Sequence, residues 1–146
     1  MEILENKAVI LTTRNPEKYS IIPKHKVLEQ RGDTYKVAVY WGLDEVRVLK
    51  NLGVKDVPSP ITQRYDWPGR YKPMAHQVDT ASFLTLHKRA FCFNDPGTGK
   101  TLAALWAADY LMKLGFVRRV LILCPLSIMQ SAWLNDLNSS IIHRSA

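Results

Sequence analysis

A lysine and a threonine set directly behind two glycines form a pattern suited to holding phosphate. Here the segment is Asn94-Asp95-Pro96-Gly97-Thr98-Gly99-Lys100-Thr101. The Lys100 ammonium can reach the β- and γ-phosphates of a nucleotide, and the Thr101 hydroxyl can sit on Mg²⁺. Gly97 and Gly99 free the backbone to turn sharply, so that Thr98 and its neighbours offer amide groups to an anion. The usual form of such a loop is G-x-x-x-x-G-K-[ST], and Asn94 stands in its first position. An ordinary strand-turn-helix with a chance Gly-Lys-Thr is the plain alternative. The flanking residues weigh against it.

Those flanks are what must hold the loop in place. Phe91-Cys92-Phe93 ends a short apolar run that starts at Ala90 and predicts a strand, and Lys100 to Leu114 is a run of strong helix formers closed by Gly115. Val120-Leu121-Ile122-Leu123-Cys124 predicts a second strand, near-continuously apolar as a parallel strand covered on both faces would be. Pro125 ends it, and Ser127 is placed to cap a helix from Ile128 to about Leu137. Upstream, Pro73 suits a first helical turn, with Met74, Val78, Ala81 and Leu84 forming a stripe through Leu86. Strand, phosphate helix, strand and helix open a three-layer αβα domain over 71–146.

The front of the chain has a different character. Ala8–Thr13 and Thr34–Tyr40 predict strands, the latter alternating on Tyr35, Val37 and Val39 with Lys36 on the other face. Tyr19–Ile22 and Lys24–Gln30 suggest one strand interrupted at Pro23. Leu43, Val46, Leu49 and Leu52 share a helical face that Gly53 closes. Residues 1–57 are therefore expected to form a small basic α+β accessory domain, an antiparallel sheet plus a helix. Lys24, Lys26 and Lys36 could face nucleic acid, with Tyr35, Tyr40 and Trp41 available to stack on bases; a solvated face over an aromatic core is the competing reading. Pro58-Ser59-Pro60 and Trp67-Pro68-Gly69 mark 58–70 as a linker, in which Tyr65-Asp66-Trp67 could anchor against a neighbour.

Composition narrows the class without naming a function. Twenty Lys+Arg against 13 Asp+Glu give +7, which favours a polyanionic partner. Two cysteines, Cys92 and Cys124, cannot build a disulfide framework or a four-ligand zinc site. The start has no basic-then-apolar leader, and no run approaches membrane-spanning length. A cytoplasmic location without membrane contact is the expectation.

Three blocks, taken together, resemble the Swi/Snf-like ATPases of the DEAD/DEAH-type helicases in superfamily 2, found among phage, bacterial and chromatin-acting translocases. Tyr71-Lys72-Pro73-Met74-Ala75-His76-Gln77 looks like that family's glutamine motif, Asn94–Thr101 like its motif I, and Leu123–Gln130 with Trp133 like its motif Ia and following helix. The resemblance covers roughly 71–146; residues 1–70 more weakly resemble small modules ahead of phage and annealing-helicase members. It implies the first, partial P-loop (RecA-like) lobe of an ATP-dependent DNA helicase or translocase in a bacterial or phage-infected cell. Gln77 would hydrogen-bond the adenine edge with both sides of its amide and favour ATP over GTP. Gly97, Thr98, Gly99, Lys100 and Thr101 would hold phosphate and Mg²⁺. Pro125, Leu126 and Ser127 would meet a DNA backbone, single- or double-stranded, without reading sequence.

The departures from the family also have consequences. Asn94 and Asp95 replace the usual Asp-Glu of motif I, and phosphate binding through main-chain groups should survive that change. The Asp-Glu pair that holds Mg²⁺ and positions water has no counterpart after the loop, because the sole Asp-Glu is Asp44-Glu45, upstream. With that box and a second lobe lacking, this chain alone is expected to hydrolyse ATP poorly or not at all. It would self-associate, lean on 1–70 or continue into a missing lobe. A short, non-catalytic, helicase-derived module that binds nucleic acid or protein is the alternative.

Overall fold

Val37 and Val39 are fully buried while Lys36 and Tyr40 on either side of them are exposed and Ala38 between them is half-buried, and this alternation belongs to the inner strand of a four-stranded sheet. The computed structural model describes residues 1–146, which divide into the units Met1–Arg64 and Tyr65–Ala146. In the first unit the strands are β1 (Glu2–Leu4), β2 (Ala8–Thr13), β3 (His25–Arg31) and β4 (Thr34–Tyr40), all antiparallel in the order β1-β2-β4-β3. Val9 and Leu11 face the core from β2, opposite Val39 and Val37. Helix α1 (Leu43–Asn51) adds Leu43, Val46 and Leu49 to that core. Each such side chain, fully buried, contributes about 1.5–3 kcal/mol. Both α1 ends are as its sequence requires: Asp44 and Glu45 lie in the first turn, and Val54 N–H bonds to Leu49 O past Gly53.

Two segments of this unit differ from expectation. Tyr19–Ile22 is not strand. Pro16, with its fixed φ, starts a 3₁₀ turn (Pro16–Tyr19), and the chain then curls so that Ile22 N–H reaches Tyr19 O, burying both Tyr19 and Ile22. Residues 58–64, expected to be irregular, carry a helical turn, α2 (Ile61–Arg64). The Ser59 hydroxyl accepts from Ile61 N–H at the turn's start, Ile61 is fully buried, and the buried Trp41 donates from Nε1 to Pro58 O at 2.9 Å. The division between units falls at Arg64/Tyr65, inside the stretch read as linker.

The second unit is built on α3 (Ala75–Leu86) and α4 (Lys100–Lys113), which pack on each other. Ala103, Leu105, Trp106, Ala107 and Tyr110 are buried, so α4 is covered on most sides. It ends in paired bonds, Gly115 N–H to Met112 O and Phe116 N–H to Leu111 O. Tyr65, Asp66 and Trp67 dock on α4: Trp67 meets Trp106 edge to face at 5.5 Å, Tyr65 meets Tyr110 likewise, and Trp106 Nε1 donates to Pro68 O.

The runs 90–93 and 120–124, expected to be parallel strands, are not in any sheet. Phe91, Phe93, Leu121 and Leu123 are all more than four-fifths exposed. An apolar run supplies strand propensity but not the neighbour whose hydrogen bonds make a ladder, and neither run pairs with the other. Beyond Pro125 the chain is helical in three joined pieces: α5 (Leu126–Ile128), a π-helical stretch (Met129–Leu134) and α6 (Asn135–Ser140). Ser127 lies inside this helix and caps nothing; Pro125 occupies the cap position. No helix is long and apolar enough to cross a membrane.

Candidate phosphate-binding loop

Gly97 and Gly99 both adopt left-handed φ, +78° and +71°, and Gly99 stands immediately before the first residue of the 14-residue α4. A helix N-terminus leaves its first amides without intrahelical partners and carries partial positive charge. In the loop ahead of it, the N–H groups of Gly97, Thr98 and Gly99 donate to no group of the chain. Lys100 folds back over the loop, its Nζ donating to Asn94 O at 3.0 Å and Asp95 O at 2.7 Å. An incoming phosphate would offer that ammonium charged acceptors in place of two neutral carbonyls. Thr98 Oγ1 donates to Asp95 O at 2.8 Å and tightens the turn. The half-exposed Thr101 hydroxyl is the metal-side group the loop itself offers, since no group of three or more His, Cys, Asp or Glu side chains is clustered to hold a metal.

Helix α3 braces this loop at three points. Asn94 Nδ2 donates to Thr80 Oγ1 at 2.7 Å, and Thr80 Oγ1 donates in turn to His76 O. His76 Nε2 lies 2.9 Å from Thr98 O and donates to it. Gln77, 6% exposed, closes a capping box: its Oε1 accepts from Met74 N–H at 2.9 Å. Its amide nitrogen points at Gly99 so closely that a Cβ there would overlap it. Gln77 is thus brought to the loop, but with one side of its amide already engaged, not with both sides free for a base. Asn94, singled out in the sequence as a departure from the usual motif, is a tie between loop and helix.

The residues expected to meet nucleic acid fall in two places. Pro125, Leu126 and Ser127 are exposed at the start of α5. In the first unit, Lys36 lies opposite Glu29 and Lys26 opposite Ala38, so both lysines stand on the sheet face turned away from Val37 and Val39. Lys24 Nζ lies 4.7 Å from the Tyr40 ring centre and Arg64 5.1 Å from it, joining the same patch. Two acids offset these cations, Glu45, whose carboxylate lies with the Tyr40 ring beside Gly42, and Glu29. A hydrogen bond from Arg31 holds the Glu29 carboxyl below the usual range, and Lys36 lies 3.9 Å away. Tyr40 is available on this face; Trp41 is fully buried and cannot stack on a base.

A second cluster, around Asp109, was not anticipated. Asp109 sits within α4 with its carboxylate 1% exposed, accepting from Tyr65 OH at 2.7 Å, His143 Nε2 at 2.8 Å and Arg144 Nε at 2.7 Å, with Lys113 Nζ at 3.8 Å. Burial pushes its pKa up, but the hydrogen bonds from Arg144, Tyr65 and His143 outweigh that and hold the carboxyl below the usual carboxylate range. Burial and then the Asp109 hydrogen bond push the Tyr65 hydroxyl well above the phenol range. The signal was an acid midway along an otherwise apolar stretch, Trp106-Ala107-Ala108-Asp109-Tyr110-Leu111. With its oxygens taken by donors, this carboxylate joins three segments rather than doing chemistry. A groove of about 380 Å³ lies beside it, walled by Leu105, Ile122, Leu137 and Ile141 and edged by Arg118 and Arg119; no residue of the 94–101 loop lines it.

No family model, curated protein or solved structure matches this chain.

Proposed function

We propose that the second unit is a nucleoside-triphosphate-binding lobe of helicase type, taking ATP with Mg²⁺ in the 94–101 loop. The observation that carries this reading is the loop itself: two left-handed glycines, three unpaired amides and the Lys100 ammonium gathered at the head of α4. Lys100 would contact the β/γ-phosphates and Thr101 the metal. The apolar runs 90–93 and 120–124 have the composition of strands in a RecA-like sheet, should they gain hydrogen-bond partners. In a full motor, ATP-driven closure of two lobes would step along DNA through backbone contacts at Pro125, Leu126 and Ser127, aided by Lys24, Lys26 and Lys36.

Turnover asks for a positioned water and further charge stabilisation beside the metal. The one Asp-Glu pair, Asp44-Glu45, lies on α1 in the other unit. These residues alone are therefore expected to bind ATP without DNA-stimulated hydrolysis. The same fact favours, as a second reading, a non-catalytic module that binds nucleic acid or protein.

The test is calorimetric titration of the whole chain with ATP–Mg²⁺, beside Lys100→Ala. Loss of the charge-assisted contact should weaken binding about 10- to 100-fold. Equal affinity in the two proteins, or none in either, removes the proposal. DNA-stimulated turnover that Lys100→Ala abolishes would favour a complete motor site.

A further inference from the structure

We infer that Gln77 serves the phosphate loop and not the base, so that the site selects its ligand by the polyphosphate with little regard for which nucleoside carries it. The inference rests on the nucleotide reading above and specifies the ligand class.

Two contacts fix what the Gln77 amide can do. Met74 N–H is a donor, so the atom facing it must be the amide oxygen, and at 2.9 Å that bond turns the oxygen to the start of α3 and takes one of its two lone pairs. The nitrogen is thereby turned to the loop. It makes no hydrogen bond within the chain, on a side chain 94% buried by the fold (6% exposed), and it lies against Gly99 where even a methyl group would not fit. Ser82 Oγ is the one buried side-chain N/O atom without a partner, so the Gln77 nitrogen keeps access to solvent at the loop, where an anion can accept from it. Reading an adenine edge takes an acceptor and a donor side by side and both open to the base; here the oxygen is turned to Met74 and the nitrogen to Gly99, on a side chain only 6% exposed. Releasing the oxygen would undo the capping box at the start of α3, whose His76 and Thr80 also hold the loop. Base recognition through Gln77 would therefore loosen the cradle that recognises phosphate.

The experiment is titration of the full chain with ATP, GTP and inorganic tripolyphosphate, each with Mg²⁺, in wild type, Gln77→Glu and Gln77→Met. Gln77→Glu keeps the acceptor for Met74 and replaces the loop-facing donor by a carboxylate oxygen; Gln77→Met keeps the volume without charge. Far-UV circular dichroism and urea unfolding verify that the variants are folded. Wild type should bind ATP and GTP within about threefold of each other, and Gln77→Glu should weaken all three ligands by a similar factor, at least about tenfold. Gln77→Met should follow in the same direction with a smaller loss.

Base-dependent behaviour overturns the inference alone: a wild type preferring ATP over GTP more than tenfold, with that preference lost in both variants while tripolyphosphate affinity is unchanged. Binding of none of the three by wild type overturns the nucleotide reading itself, and this inference with it.

Discussion

Asp109 shows how much one buried charge can matter. Its carboxylate receives hydrogen bonds from Tyr65, His143 and Arg144, drawn from before α3 and from beyond α6. Asp109→Ala strands those donors and should lower unfolding free energy by about 3–5 kcal/mol, the range for breaking a buried pair from one side. Tyr65→Phe removes a single bond to a charged group, about 1.5–3 kcal/mol. Urea unfolding of the two variants checks the order. The pH dependence follows from the direction of the shift. With its folded pKa below the ordinary 3.8, Asp109 contributes fully above that pH, and the contribution drains away as pH falls through the folded value. The isosteric Asp109→Asn should therefore flatten the acid arm of the stability profile below about pH 4; an unchanged acid arm would show that other carboxylates control it. Tyr65, its pKa raised, contributes in the opposite window: fully present below 10, falling as pH rises beyond.

Among the elements, those whose signals are local were readable in the sequence. Val37 and Val39 alternate with polar neighbours; Leu43, Val46 and Leu49 recur at helical spacing; Lys100 to Lys113 is a run of helix formers with glycine on either side. Segments that depend on a distant partner were not readable. Phe91 and Leu121 have strand propensity and no ladder, while Tyr19 and Ile22 are apolar because a 3₁₀ turn buries them, not because a sheet does. At the candidate site, the loop's residue types pointed to phosphate, but the brace from Thr80, His76 and Gln77 arises only when α3 packs on α4, and no spacing along the chain announces it. Gly97 and Gly99 make that brace measurable. Alanine at either position bears a left-handed backbone penalty of about 1–2 kcal/mol. At Gly97 the added methyl meets open space; at Gly99 it meets the Gln77 amide. Gly99→Ala should thus destabilise more than Gly97→Ala, and combining it with Gln77→Ala should recover part of the difference. Equal unfolding midpoints for the two alanine variants would mean that the Gln77–Gly99 contact carries no strain.

For the molecule as a whole, the sequence gives a charge of +7 but not where it is concentrated. In the first unit, strand register decides: Lys26 and Lys36 share the outer face of β3 and β4, and on the same face Lys24 and Arg64 lie over the exposed Tyr40 ring. Glu29 offsets part of this by sitting 3.9 Å from Lys36. If the face binds DNA, each phosphate neutralised steepens the fall of log K with log salt by about 0.9 for duplex and about 0.7 for single strands. Replacing Lys24, Lys26 and Lys36 with alanine would remove up to three such contacts. Because Lys36 is already partly neutralised, the slope on duplex should become shallower by about 2 rather than the full 2.7. Fluorescence anisotropy of labelled duplex across a salt series, on the wild-type and triple-variant chains, measures that difference directly. An unchanged slope means the DNA contacts lie elsewhere, and the exposed Pro125-Leu126-Ser127 corner, whose contacts would be main-chain amides and a hydroxyl, becomes the surface to probe next.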